Sequence, residues 1–255
     1  MLSKNKIKFI QSLNRKKTRD QEGVFLVEGN KVVLEAVASG FPVKLLAASS
    51  SFLKNNRLTA TAAKEVVECS PEEIKKASQL KTPQEAIAVV EIPTHQLTNA
   101  QLAGEFSLAL DFIQDPGNLG TIIRIADWFG IRQVLCSVNS VDCYNPKVIQ
   151  ASMGAIFRVQ IHYLDLAKLA NEAQESQLPV YGTFLEGENI YTSNLSPHGI
   201  LVMGNEGNGI SPVLAGKIRH KIHIPSFAHG NAGSESLNVA TATAICCSEF
   251  KRRVV

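Results

Sequence analysis

The chain has 255 residues, of which 45% are hydrophobic and 19% charged, and its formal net charge is +3. This composition excludes disordered, collagen-like and coiled-coil chains, and the length suits two modest globular domains. No apolar run approaches the roughly 18 residues of a membrane span, and the N-terminus lacks a signal-peptide core, so we expect a soluble protein that is not secreted.

The first 20 residues form a basic arm with a net charge of +6, whereas the rest of the chain sums to −3. Lysine and arginine supply most of the nonspecific affinity of proteins for nucleic acid, so the arm predicts an RNA contact. Its basic residues are Lys4, Lys6, Lys8, Arg15, Lys16, Lys17 and Arg19. Two alternatives remain: a solvated amphipathic helix with Ile7, Ile10 and Leu13 inward, or a mitochondrial transit peptide.

Residues 24–92 have the pattern of a small α/β unit. Apolar runs predict strands at 24–27, 43–48 and 86–90. A helix is predicted at 31–39, ended by Gly40, and another begins where Ser70 caps a first turn with proline and two acids. The polar stretch 93–105 breaks the periodicity, so we predict a first domain at 1–92, a linker at 93–105 and a second domain at 106–255.

In the second domain, short apolar runs alternate with helical patterns, which predicts a mostly parallel sheet covered by helices. The predicted strands are 108–113, 133–137, 157–162, 180–184, 200–203 and 221–224. The predicted helices are 119–129, 166–176 and 236–250. The fold class is therefore α/β.

Three glycine-bearing loops, 114–120, 204–209 and 225–238, each follow a predicted strand. The carboxyl ends of parallel strands are where such sheets bind ligands, and glycine lets backbone groups approach a ligand closely. None of the loops has the glycine spacing of a phosphate cradle or of a dinucleotide site, so kinase and NAD-dependent oxidoreductase functions lose support.

Other catalytic chemistry is sparse. His220 and His223 have no cysteine or acidic partner at ligand spacing, so we interpret them as structural or surface residues and predict no metal site. The five cysteines, an odd number without a C-x-x-C pair, argue against disulfides and favour a reducing cytoplasm. Trp128 ends an amphipathic helix, where core or interface packing is favoured over stacking on a base.

The three loops and the segment between them resemble the SpoU, or TrmH-type, family of RNA ribose 2'-O-methyltransferases of the SPOUT class. The resembling segments are DPGNLGTIIRIADWFG at 115–130, DCYNPKVIQASMGAIFRV at 142–159, VMGNEGNGIS at 202–211 and IPSFAHGNAGSESLNVATA at 224–242. Residues 7–91 resemble the L30e-like substrate-binding domain that many of these enzymes carry in front.

The resemblance implies a C-terminal domain with a trefoil knot that binds S-adenosylmethionine and works as a homodimer. Carried over by motif, the catalytic residues are Asn118, Arg124, Glu206, Ser236 and Asn238. The residues implied to line the cofactor are Met203, Gly204, Asn205, Glu206, Gly207, Ile224, Ser236 and Leu237. No metal is required for methyl transfer from a sulfonium, because the protein needs only to align donor and hydroxyl and help remove a proton.

Two departures from the family pattern stand out. Gln150 lies where many members have arginine, and the third loop is longer than expected through 228–232. The expected activity is methylation of a ribose 2'-hydroxyl in structured RNA, with 23S rRNA favoured over tRNA, in the cytoplasm. The alternative is a noncatalytic RNA-binding protein that keeps the fold, and titration with S-adenosylmethionine discriminates the two.

Overall fold

The computed structural model describes residues 1–56, 63–227 and 236–253, and the chain forms two compact units. The first unit combines residues 1–94 with 142–158, and the second combines 95–141 with 159–255. The sequence predicts an unbroken second domain, whereas by its contacts the segment 142–158 belongs to the first unit.

The first unit contains a four-stranded sheet in the order β1-β4-β2-β3. Strand β4 is antiparallel to both of its neighbours, while β2 and β3 are parallel. The strands are β1 (Val24–Glu28), β2 (Val43–Ala48), β3 (Val66–Glu68) and β4 (Ala86–Glu91). The helices are α1 (Lys4–Ser12), α2 (Lys16–Glu22), α3 (Asn30–Ala38), α4 (Ser50–Asn55) and α5 (Pro71–Ala77).

Local sequence explains two of these helices. Helix α5 begins with the predicted proline and a capping box, in which Ser70 and Glu73 satisfy each other's backbone N–H groups. Helix α1 presents Ile10 and Leu13 to the core, both fully buried, with Ile7 packed beside them. The amphipathic interpretation of this helix is therefore confirmed, and Lys4 and Lys8 on it are exposed.

The segment 142–158 holds helix α8 (Pro146–Ser152) and a 3-10 turn at Ala155–Phe157. Gln150 on α8 donates a 2.7 Å hydrogen bond from its Nε2 to the carbonyl oxygen of Glu28 at the end of β1. The rings of Phe25 and Tyr144 lie 4.7 Å apart between centroids. The departure from arginine at position 150 thus has a structural role within the first unit.

The second unit is built on a six-stranded sheet in the order β10-β8-β9-β5-β6-β7, with every neighbouring pair parallel. Its strands are β5 (Phe106–Leu110), β6 (Gln133–Ser137), β7 (Gln160–Leu164), β8 (Val180–Asn189), β9 (Gly199–Met203) and β10 (His220–His223). Its helices are α6 (Asn99–Gly104), α7 (Pro116–Trp128), α9 (Leu166–Glu175), α10 (Pro212–Ala215) and α11 (Val239–Arg252).

The packing of these elements places the loops. Apolar residues of α6, α9 and α10 pack on the strands in one hydrophobic cluster, and α7 packs against α11. Because all six strands point the same way, the segments after β5, β9 and β10 leave from one edge of the sheet. The predicted mostly parallel α/β architecture is confirmed, whereas the trefoil knot stays a prediction.

Two predictions for this part of the chain were wrong in detail. The predicted strand 157–162 begins only at Gln160, because Ala155, Ile156 and Phe157 form a buried 3-10 turn of the first unit. The stretch 93–105 contains α6, started by a capping box between Thr98 and Gln101. Within the described residues, no helix is long and apolar enough to cross a membrane.

Candidate active site

Loop 1 (114–120), which leads from β5 into α7, positions the first predicted catalytic residue. Asp115 caps α7 by accepting a 2.7 Å hydrogen bond at Oδ1 from the backbone N–H of Asn118, and Pro116 occupies the first turn without a lost bond. Asn118 therefore lies in the first turn of α7, at the carboxyl edge of the sheet.

Loop 3 (225–238) places Asn238 by the same device. Asn238 Oδ1 accepts hydrogen bonds from the N–H groups of Ala240 and Thr241 at 3.0 and 3.2 Å, which caps α11. The predicted helix start at Ser236 is wrong by three residues, because Asn238 makes these capping bonds and α11 begins at Val239. The cap leaves the Nδ2 of Asn238 free to reach other loops.

Glu206, in loop 2 (204–209), joins both helix starts. Its Oε1 accepts hydrogen bonds from Asn118 Nδ2 at 2.9 Å, Asn238 Nδ2 at 2.5 Å and the N–H of Val239 at 3.3 Å. Asn238 Nδ2 also lies 2.9 Å from Asn118 Oδ1. One carboxylate thus ties loops 1, 2 and 3 together, next to the positive end of the α11 dipole, where a negative charge is favoured.

The shape of loop 2 depends on glycine and on Asn205. A Cβ atom on Gly204 would lie 2.3 Å from the backbone carbon of Gly209, so no other residue fits there without moving the loop. Asn205 Oδ1 accepts from the N–H of Gly207 at 2.9 Å, and its backbone pairs with Gly209 across the turn. The loop therefore presents Glu206 at a defined position.

Three predicted site residues lie exposed near this network. Arg124 is exposed on α7, six residues after Asn118, and Ser236 and Leu237 are exposed immediately before the α11 cap. Trp128, one turn beyond Arg124, is 84% exposed, so of its two predicted roles packing in the core is wrong and packing at an interface stays a prediction. The exposed face of α7 thus carries a cation and an aromatic ring.

Met203, one of the residues predicted to line the cofactor, ends β9 directly before loop 2, and that role stays a prediction. Its side chain is 1% exposed, with the sulfur 3.8 Å from Thr183 Oγ1, and its carbonyl oxygen accepts from the N–H of Asp111 at 2.9 Å. Met203 therefore supports the start of loop 2 from the buried end of β9. Ile224 is half-buried after β10, and the long stretch of loop 3 at 228–232 lies outside the described residues.

Arg19 is a correction to the predicted RNA-contacting set. Its guanidinium is 1% exposed and donates to the carbonyl oxygens of Leu13 and Asn14 at 2.8 and 3.0 Å. It also forms an ion pair with Asp142 at 2.5 Å. A side chain so enclosed cannot reach a phosphate, so Arg19 stabilises the first unit.

The other basic residues of the arm differ in accessibility. Lys6 is half-exposed and forms an ion pair with Glu65. The remaining members of the set are exposed: Lys4, Lys8, Arg15, Lys16 and Lys17. These five keep the positive surface on which the predicted RNA contact depends.

The histidines of β10 fit their structural interpretation. The rings of His220 and Tyr181 lie 5.0 Å apart, and His223 is half-buried. In the part of the chain that the structure describes, no group of three or more histidine, cysteine, aspartate or glutamate side chains is arranged to hold a metal ion.

Two further residues at this edge escaped the sequence analysis. Asp111, 3% exposed at the end of β5, accepts at Oδ2 from the N–H of Ser211 at 2.8 Å and so fixes the exit of loop 2. Phe112 follows it with a φ of +58°. An aspartate directly after an apolar strand can be recognised in a sequence. The left-handed conformation of Phe112 has no such sequence signal, because that conformation is typical of glycine and asparagine.

Comparison with known proteins gives this geometry its context. Residues 105–248 match the SpoU rRNA Methylase family, and residues 4–88 match an MRM3-like substrate binding domain. A 23S rRNA (guanosine-2'-O)-methyltransferase of Bacillus subtilis is 31% identical over 244 residues, which cover 94% of this chain and 93% of that protein.

Solved structures agree with the sequence relatives. A TrmH-family protein from Porphyromonas gingivalis has a TM-score of 0.87 at 41% identity, covering 99% of both chains. An rRNA methyltransferase from Sinorhizobium meliloti bound to AdoMet has a TM-score of 0.86 at 29% identity, covering 100% of this chain and 98% of that one. The family match over more than half the chain and the full-length relative place it plainly: this protein belongs to the SpoU rRNA methylase family.

Proposed function

We propose that this chain transfers a methyl group from S-adenosylmethionine to a ribose 2'-hydroxyl of 23S rRNA. The observation that carries the proposal is the Asn118–Glu206–Asn238 network, which joins three loops at the ligand-binding edge of the sheet in a chain whose full-length relative is a 23S rRNA 2'-O-methyltransferase. The identity of the nucleotide is not part of the proposal.

The residues at the edge fit the proposed cofactor. Leu237 is apolar yet 48% exposed, and Ile224 is half-buried, which suits the apolar adenine. Gly204 and Gly207 leave backbone groups accessible for the polar parts of the molecule. When bound, S-adenosylmethionine supplies a methyl group on a sulfonium that accepts an in-line attack.

The chain's own residues have separate roles in the proposal. Glu206, Asn118 and Asn238 hold the three loops in one arrangement, which is the positioning that an in-line displacement needs. Arg124 stays protonated at neutral pH, so we assign it to a phosphate or to the developing negative charge on the 2'-oxygen, not to proton removal. Ser236 or a water molecule takes the proton.

The test is methylation of rRNA with labelled S-adenosylmethionine. A methyl on the 2'-oxygen blocks alkaline cleavage, because that oxygen must attack the adjacent phosphate, so the product should contain one alkali-resistant linkage just 3' of the target nucleotide. The reaction should survive EDTA apart from effects on RNA folding. Label incorporated without an alkali-resistant site would indicate base methylation, and cofactor and RNA binding without incorporation would favour a noncatalytic RNA-binding protein.

The exposed part of the basic arm supports RNA binding by the first unit. Each of Lys16 and Lys17 that contacts a phosphate should contribute about 0.7–0.9 to the slope of log affinity against log salt. Replacing both with alanine should lower that slope in filter binding at several salt concentrations, and Lys64→Ala, an exposed lysine paired with Glu91, is the control. An unchanged slope would remove the arm from the RNA-binding surface.

Assembly and location complete the proposal. We infer a homodimer, as the family resemblance implies, and light scattering of the purified protein tests it. We place the protein in the cytoplasm, which the five buried cysteines support because none of them is in a disulfide, as is usual for proteins of a reducing compartment.

A further inference from the structure

Phe112 has a backbone conformation that its position does not explain. Three non-glycine residues in the described part of the chain have a positive φ: Phe112 at 58°, Met153 at 51° and Gln177 at 57°. Met153 and Gln177 come at the ends of α8 and α9, where a left-handed residue is the ordinary way to stop a helix. Phe112 follows a strand, so helix termination is not its cause.

The strained backbone of Phe112 is held from two sides. Its N–H donates to Ser137 Oγ at 2.9 Å at the end of β6, and its carbonyl oxygen accepts from Asn205 Nδ2 at 2.9 Å in loop 2. The preceding Asp111 is fixed through Met203 and Ser211. A strained backbone conformation persists only where several surrounding contacts hold it in place. Such conformations concentrate at functional sites.

The conformation leaves a large apolar ring exposed at the ligand edge. Phe112 is 38% exposed, while the residues on either side of it, Asp111 and Ile113, are 3% and 2% exposed. Its carbonyl is bonded to Asn205, the direct neighbour of Glu206. The backbone of Phe112 is therefore joined to the residue that directly precedes the carboxylate tying the three loops together.

Phe112 is bonded on both sides of β5, because its carbonyl oxygen accepts from Asn205 in the loop after β9 and its N–H donates to Ser137 on β6. The loops that the family assigns to the cofactor follow β9 and β10, which lie on one side of β5, whereas Ser137, which holds the Phe112 N–H, belongs to β6 on the other side. An aromatic ring beside a nucleotide-methylating site has one common use, which is to stack on an unpaired base.

We propose that Phe112 stacks on a base of the RNA substrate, at or next to the methylated nucleotide, and so positions the ribose beside the Asn118–Glu206–Asn238 network. This inference rests on the proposed function. Stacking tolerates any base, so Phe112 contributes affinity and alignment more than sequence selection.

The test compares three variants of the full-length protein with 23S rRNA from cells that lack it. Phe112→Gly removes the ring and suits the positive φ, so its melting temperature should stay equal or rise while the KM for RNA and the dissociation constant of RNA in filter binding each rise about tenfold or more. Phe112→Tyr should restore RNA binding, whereas Phe112→Leu should not. The affinity for S-adenosylmethionine should be unchanged in all three.

Gln177→Gly is the matched control, because it relieves the same backbone conformation at an exposed turn after α9. It should raise the melting temperature without any change in KM for RNA. A Phe112→Gly protein that melts earlier and loses every activity in parallel would show a merely structural role and overturn the proposal. Weakened cofactor binding with unchanged RNA binding would also overturn it, by moving the ring to the cofactor side.

The measurement of RNA binding separates this proposal from the proposed function. If the wild-type protein binds the RNA without methylating it, the proposed function fails, and the Phe112→Gly and Phe112→Tyr dissociation constants still decide the stacking role. If methylation occurs and both variants bind RNA like the wild type, the stacking proposal fails alone.

Discussion

Two arginines, one in each unit of this protein, have the same side chain in opposite environments. Arg19, in the first unit, is 1% exposed and its donors are taken by two carbonyl oxygens and Asp142. Arg124, in the second unit, is exposed on the helix that starts at the Asn118 network. The difference teaches that the type of a residue only suggests a function. The burial and the partners of its side chain decide whether it can bind a ligand or stabilises the fold.

The largest expected effect tests the structural half of this comparison. Arg19→Ala leaves the Asp142 carboxylate and two carbonyl groups without their donor, and removing one partner of a buried ion pair costs about 3–5 kcal/mol. The free energy of unfolding from urea titration should fall by that amount. Arg15→Ala, an exposed residue of the same arm, should change it by less than about 0.5 kcal/mol. Equal effects of the two substitutions would contradict the assignment of Arg19.

The next effect tests the polar network at the ligand edge. Glu206→Ala removes the acceptor shared by Asn118, Asn238 and Val239, so we expect methyl transfer to fall at least about tenfold. Asn118→Ala should have a similar effect. Glu175→Ala, an exposed glutamate at the end of α9, is the control and should keep full activity. Near-native turnover in both network variants would remove this site assignment.

Arg124→Ala separates chemistry from cofactor binding. If Arg124 meets a phosphate or the developing charge on the 2'-oxygen, its loss should lower the turnover about tenfold while calorimetry shows unchanged affinity for S-adenosylmethionine. Arg132→Ala, an exposed arginine just past the end of α7, serves as the control. Loss of cofactor affinity in Arg124→Ala would place the guanidinium on the cofactor side and reverse its role.

The parallel strands of the second unit and the loops after them could be predicted from the sequence for a physical reason. Buried parallel strands such as β5, β6 and β9 are continuous apolar runs, and Asn118, Glu206 and Asn238 belong to glycine-bearing loops whose position follows from the strands before them. The burial of Arg19 depends on Asp142, which lies 123 residues away in the chain. Such long-range partners have no local signal.

The prediction for the segment 142–158 was wrong for the same reason. Phe157 was predicted to begin a strand, but together with Ala155 and Ile156 it is buried in the first unit as a 3-10 turn. An apolar run of three to six residues indicates burial without stating which surface covers it. The positive φ of Phe112 could not be predicted for a related reason, since it is held by a hydrogen bond to Ser137 on β6 and another from Asn205 in loop 2.

The smallest expected effect extends the comparison to a buried histidine in the second unit. His162 on β7 is 9% exposed and shares a 2.9 Å hydrogen bond between its Nε2 and Gln133 Oε1. Burial lowers the pKa of His162 below its ordinary value of 6.5, and the positive charge of the nearby His95 lowers it further. The unfolded chain therefore takes up a proton first as the pH falls through 6.5, and the folded state loses stability from there down to the lowered pKa.

Replacing this histidine should change the pH dependence of stability and leave catalysis intact. In His162→Gln the loss of melting temperature between pH 8 and pH 5 should be smaller than in the wild type, because the group that resists protonation in the folded state is gone. His198→Gln, at an exposed position, should keep the wild-type slope, and both variants should methylate RNA normally at pH 8. An unaltered slope in His162→Gln would mean that other groups set the acid sensitivity, and a loss of methyl transfer would mean that burial alone does not separate structural from functional side chains in this fold.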